Sequence, residues 1–193
     1  MGNFYVNFVA RKTNREEISH LLAGRDVYIS PVLDDVVLIY DREADAQDWP
    51  LIGELGRQWS DCLATVILAS LNHDDDILMY CLFENGVEKD SYNSAPDYFE
   101  NTFTPRGPVG GDAEVLCEAF GSKNVTAIRA ILRRPDVATD DDGYVFAFDR
   151  HRDLMQALGM TSLAFFAGYR HLEAGDFPED LNRNDFIEIT GKP

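Results

Sequence analysis

Residues 65–92 constrain the fold more than any other part of this chain. Two apolar runs, Thr65–Asn72 and Ile77–Phe83, flank His73-Asp74-Asp75-Asp76, and Asn85-Gly86 then leads into a third extended segment, Val87–Tyr92. Asn-Gly between two such runs is the strongest short signal for a two-residue type I′ hairpin turn, because both central residues must take positive φ. The pattern predicts strands at 65–72, 77–84 and 87–92 in an antiparallel meander. Nearly every residue from Ile77 to Phe83 is apolar, so the middle strand is expected to be buried on both faces. Two helices alone do not cover such a sheet, and further elements must pack on it.

The preceding half supplies those two helices. Aromatic and β-branched residues at 3–11 predict a first strand. Asn14 followed by Glu17 has the form of a capping box, Ile18, Leu21 and Leu22 make an apolar stripe, and Gly24 stands where a C-cap belongs, giving a helix over 14–23. Val27–Ser30 and Val36–Tyr40 predict a hairpin turned at Asp34-Asp35. Asp48 as cap and Pro50 in the first turn open a helix over 49–63, whose buried face is Leu51, Ile52, Leu55, Trp59, Cys62 and Leu63.

An internal echo at an offset of 40 residues matches Ser30 with Ser70, Asp34-Asp35 with Asp74-Asp75 and Tyr40 with Tyr80. Two such units are too few for a solenoid. They suit a split βαβ (ferredoxin-like) arrangement: an antiparallel sheet with both helices on one face, extended outward by the 77–92 meander. The echo also allows the two acidic turns to sit at the same end of the sheet.

Residues 93–111, rich in Pro and Gly, predict a loop with no strand in it, in which Tyr98, Phe99 and Phe103 pack over the sheet. Beyond it, helices are expected at 112–120, 124–134, 150–158 and 162–174, with short strands at Tyr144–Asp149 and Phe186–Ile189. The whole of 1–193 is expected to form a single domain: a sheet core with two helices at 1–92, the loop, and a mainly helical part at 112–193. The fold class is therefore α+β, a mainly antiparallel sheet with additional C-terminal helices.

Thirty-four acidic residues against 17 basic ones leave a net charge of −17, a field that repels nucleic acid and anionic membranes. No apolar run reaches 18 residues and no leader pattern opens the chain, so a cytoplasmic protein is expected. Cys62, Cys81 and Cys117 are widely spaced in apolar surroundings and read as buried, reduced thiols.

Two places carry chemistry-capable side chains. His73, Asp74 and Asp76 offer an imidazole and hard oxygen ligands for a divalent cation, but the spacing matches no EF-hand and a solvated β-turn is the preferred reading of the aspartates. Asp149 and His151 follow a predicted strand, where catalytic groups can be presented, but helix capping by Asp149 is the preferred reading. His171 reads as a hydrogen-bonded histidine. Gly110-Gly111-Asp112 reads as a helix cap, since a phosphate loop would need a Lys and a hydroxyl residue after the glycines.

No coherent catalytic set emerges. The reading favoured is an acidic, non-catalytic interaction or regulatory protein, of inhibitor or immunity type, whose partner is a basic protein. It needs no cofactor. Its competitors are a divalent-metal-dependent hydrolase or transferase, with metal on His73, Asp74 and Asp76 and acid–base work by Asp149 or His151, and a small-ligand sensor with a pocket beneath Tyr98, Phe99 and Phe103.

Overall fold

The computed structural model describes residues 2–100, 107–136 and 143–191. Its centre is one eight-stranded sheet in the order β7-β6-β5-β4-β1-β3-β2-β8. The strands are β1 (Tyr5–Arg11), β2 (Val27–Ile29), β3 (Val36–Asp41), β4 (Val66–His73), β5 (Ile77–Glu84), β6 (Val87–Asn93), β7 (Val109–Gly110) and β8 (Ile187–Ile189). Every neighbouring pair is antiparallel. Six α-helices are present among the described residues: α1 (Arg15–Leu21), α2 (Trp49–Cys62), α3 (Ala113–Phe120), α4 (Val125–Arg133), α5 (Ala147–Leu158) and α6 (Tyr169–Ala174). The protein is thus α+β, and none of these helices is long and apolar enough to cross a membrane.

Strand alternation divides the core in two. Val6, Phe8, Ala10, Ile67 and Ala69 face Ile18 and Leu22 at α1 and Ile52, Leu55 and Trp59 of α2. Val9, Leu38, Tyr40, Leu68, Leu78, Tyr80 and Leu82 face the other way, against Leu116, Ile128, Leu132, Leu154 and Phe165 from the C-terminal half. The near-continuous apolar run of β5 follows from this sandwiching, and α3–α6 are the cover that the run demanded. Each large side chain buried in this way contributes roughly 1.5–3 kcal/mol.

Local signals act as expected in the first half. Asn14 and Asp48 cap α1 and α2 by accepting from Glu17 N and Leu51 N. Asp34-Asp35, Asp74-Asp75 and Asn85-Gly86 all have positive φ at both positions, as a two-residue type I′ turn requires. The two acidic turns, however, lie at opposite ends of the sheet. Lys12 N, just past the end of β1, donates to Asp35 O, whereas Asn3 N, just before its start, donates to Asp75 Oδ2. β1 lies between β3 and β4 and runs against both, so the hairpins on its two sides must turn at opposite ends.

The structure departs from expectation in four further places, three of them in the second half. Tyr144–Asp149 is not a strand: Tyr144 makes only an isolated bridge to Asp136, and α5 begins at Ala147. Buried Ala147, Arg150, His151, Leu154, Met155 and Leu158 recur at helical spacing, and burial of that face outweighs the β propensity of the aromatics. Residues 162–174 do not form one helix. A 3₁₀ turn over Leu163–Phe166 stops at Ala167-Gly168 before α6 starts, because the carbonyls of Phe165 and Ala167 accept from Asn7 Nδ2 on β1. A Cβ at Gly168 would stand 2.4 Å from Asp45 Oδ1, so this close approach needs glycine. In the 93–111 loop, Val109 and Gly110 pair with Asn93 and Tyr92 as β7; a Cβ at Gly110 would lie 2.0 Å from Ser91 O. Cys81 and Cys117 are buried, but Cys62 is exposed. It falls in the last turn of α2, after Ser60, the final buried residue of that helix.

Candidate interaction surface

β4 ends at His73, and the turn that follows reaches the rim of the sheet. The imidazole of His73 holds Gln47 Oε1 at 2.6 Å through Nδ1. Three aromatic rings stand edge-to-face with it, at centroid distances of 5.0 Å for Phe4, 5.4 Å for Phe99 and 5.9 Å for Tyr98. Each aspartate of the turn then serves a different neighbour. Asp74 Oδ1 accepts from Gly2 N at 3.1 Å. Asp75 accepts from Asn3 N, Asn3 Nδ2 and Asn72 Nδ2 at 3.0–3.3 Å, and its carbonyl accepts from Ala147 N at 2.5 Å. Asp76 Oδ2 accepts from the Tyr98 hydroxyl at 2.8 Å, a bond that raises the pKa of the Tyr98 phenol.

The candidate ligands His73, Asp74 and Asp76 are therefore spread over separate partners. Among the described residues no three His, Cys, Asp or Glu side chains are grouped to hold a metal ion. Positive φ at Asp74 and Asp75 accounts for the residue types there, since Asp tolerates the left-handed region better than most.

What gathers at this turn is aromatic surface. Phe4, Tyr98, Phe99 and Phe146 are 43%, 40%, 77% and 52% exposed, and they are all the exposed large aromatics among the described residues. Three surround His73, and Phe146 immediately precedes Ala147, which is bonded to Asp75. Tyr98 and Phe99 thus stand exposed beside His73; Phe103 lies outside the described residues. One cleft of about 570 Å³ runs between Arg11, Thr65, Leu82, Lys89 and Val115, and another of about 500 Å³ is bordered by Tyr28, Arg42, Tyr169 and Glu188.

The second candidate pair is not assembled. Asp149 lies in the first turn of α5, where Phe146 holds the N-cap position, and its carboxylate pairs with Arg152 at 2.7 Å. His151 points the other way, about 200° around the helix, and is 1% exposed. Its Nδ1 lies 2.8 Å from the Tyr5 hydroxyl, and its ring packs on Tyr5 and Phe166. Burial pushes the imidazole pKa down to about 3 and the Tyr5 phenol pKa up. Both are therefore neutral near pH 7.

Sequence reasoning missed the residues that join these two places. Asn72, paired with Tyr5 across β4 and β1, donates to Asp75, and Tyr5 bonds His151. The acidic turn and α5 are thereby tied through the sheet. The available signal was the polar Asn7 and Asn72 within otherwise apolar strands. The other two expectations hold: Asp112 caps α3 by accepting from Glu114 N and Val115 N, and His171 Nδ1 accepts from Gly168 N.

Comparison of the chain with protein-family models, curated proteins and solved structures finds no match.

Proposed function

We propose that this chain is a non-catalytic interaction or regulatory protein, of inhibitor or immunity type, that docks a basic protein through the surface around His73. The observation that carries this reading is the gathering of three exposed aromatics, Phe4, Tyr98 and Phe99, around His73 at one acidic turn. Aromatic side chains dominate binding hot spots, and contiguous exposed apolar patches mark interaction sites. A net charge of −17 selects a cationic partner and steers its approach. Separation of Asp149 from His151, and burial of the latter, supports a non-catalytic role.

We further read β1 to β4 with α1 and α2 as a split βαβ (ferredoxin-like) unit. The strand order β4-β1-β3-β2 and the packing of both helices on one face support it. A single domain working in the cytoplasm accords with one sheet shared by both cores and with three unpaired cysteines.

The test couples capture to kinetics. A basic protein captured from the native host should associate at least about tenfold more slowly when ionic strength rises from 50 to 500 mM. Its capture should fail with the Phe99→Ala/Asp76→Asn variant. An association rate indifferent to salt, or full binding by the variant, overturns the reading.

A further inference from the structure

We propose that the side chain this surface takes from its partner is arginine, with the planar guanidinium laid against the ring of Phe99, the most exposed of the three at 77%, and its N–H groups turned to Asp76 and Asp74. The inference rests on the basic-partner reading and narrows its chemistry. Phe4, Tyr98 and Phe99 are held by their contacts with His73, and Tyr98 and Phe99 stand perpendicular to one another, 5.0 Å apart at 89°. Each is nonetheless at least 40% exposed. Packed on one another in this way, they offer aromatic area whose position is set before a ligand arrives, which lowers the ordering cost of binding.

The carboxylates beside them are held in place by the same contacts. Asp76 is fixed by its bond from Tyr98 through Oδ2, and Asp74 is fixed by its bond from Gly2 N through Oδ1. Oδ1 of Asp76 and Oδ2 of Asp74 accept no hydrogen bond from the described residues, so each carboxylate keeps an acceptor for an incoming donor. Asp75 differs, since Asn3 and Asn72 occupy both of its oxygens.

Aromatic faces beside open carboxylate oxygens discriminate between the two basic side chains. A guanidinium stacks on a ring and still aims its N–H groups outward in the ring plane toward acceptors. An ammonium is a more strongly hydrated point charge and gains less from a ring. Charge alone would attract either; the aromatic surface favours arginine.

Two peptides of equal length and charge, nona-arginine and nona-lysine, separate the cases by calorimetry at low ionic strength. Nona-arginine should bind about three- to fivefold more tightly. Phe99→Ala should abolish that preference while leaving nona-lysine affinity unchanged, and Asp76→Asn should weaken both peptides. Phe99 and Asp76 are exposed, so both variants should fold. Equal affinities for the two peptides, or a preference that survives Phe99→Ala, overturn the arginine assignment and leave the basic-partner reading standing. Binding of neither peptide overturns the assignment, and loss of salt dependence with the captured partner overturns the broader reading separately. Sedimentation of the chain alone gives a last check: a dimer that Phe99→Ala dissolves assigns the surface to a second copy and overturns the assignment.

Discussion

The Tyr5 hydroxyl and His151 Nδ1, 146 positions apart in sequence, meet 2.8 Å apart in the interior between β1 and α5. The contact fixes how the C-terminal helices sit on the sheet. It also places a titratable ring where no water solvates its charge.

Stability should fall with acid through His151. Its folded pKa, near 3, lies below the value of about 6.5 in an unfolded chain. The unfolded state therefore binds a proton that the folded state refuses. The contribution is complete above about pH 6.5 and is lost progressively as pH falls toward 3. From pH 7.5 to 5 this group alone should lower unfolding free energy by about 2 kcal/mol. Urea titrations of wild type and His151→Gln should differ by that slope, and the imidazole resonances of His151 should not titrate between pH 8 and 5. Parallel slopes, or a titrating ring, would contradict the burial.

A double-mutant cycle measures the contact itself. Tyr5→Phe leaves His151 Nδ1 buried without its partner and should cost about 1–3 kcal/mol. In a His151→Phe background the same change should cost about 1 kcal/mol less. Additive costs would show that the two side chains do not interact.

Arg150, fully buried on the same helix, pairs with partly exposed Asp136 and donates to Ile131 O. Its guanidinium also lies over the Tyr144 ring, 4.5 Å from the centroid. Asp136→Asn strands a buried charge and should cost roughly 3 kcal/mol. Arg150→Met leaves a carboxylate that water can reach and should cost less. Thermal melts of the two variants give the order, and the reverse order would refute this account.

Ala64 follows the C-cap of α2 with φ +47°, a conformation that costs a residue with a Cβ about 1 kcal/mol. Ala64→Gly should raise stability by about that amount in urea unfolding. A loss of stability would mean that the methyl group matters more than the backbone.

Much of the fold is legible from local pattern. Ile77–Glu84 forms a strand with the predicted limits, and Asn85-Gly86 forms its turn, because a short apolar run and turn chemistry act within a few residues. Tyr144–Asp149 departs from its predicted strand because aromatic β propensity is a local quantity, whereas burial of Ala147, His151 and Leu154 depends on β1, β4 and β5, which are distant in sequence. The candidate site divides in the same way. His73 to Asp76 could be singled out by composition, but proximity in sequence does not aim three carboxylates at one point. The left-handed turn sends Asp74 to Gly2, Asp75 to Asn3 and Asn72, and Asp76 to Tyr98.

By itself the sequence determined the α+β class, the meander of β4 to β6, the caps of α1, α2 and α3, and the acidic field, all of which follow from near-neighbour chemistry or summed charge. Only the tertiary structure decided that the acidic turns face opposite ends, that His151 is sealed against Tyr5, and that Phe4, Tyr98 and Phe99 gather around His73. Those relationships join residues far apart along the chain, and they exist only once burial on both faces of the sheet has brought the two halves together.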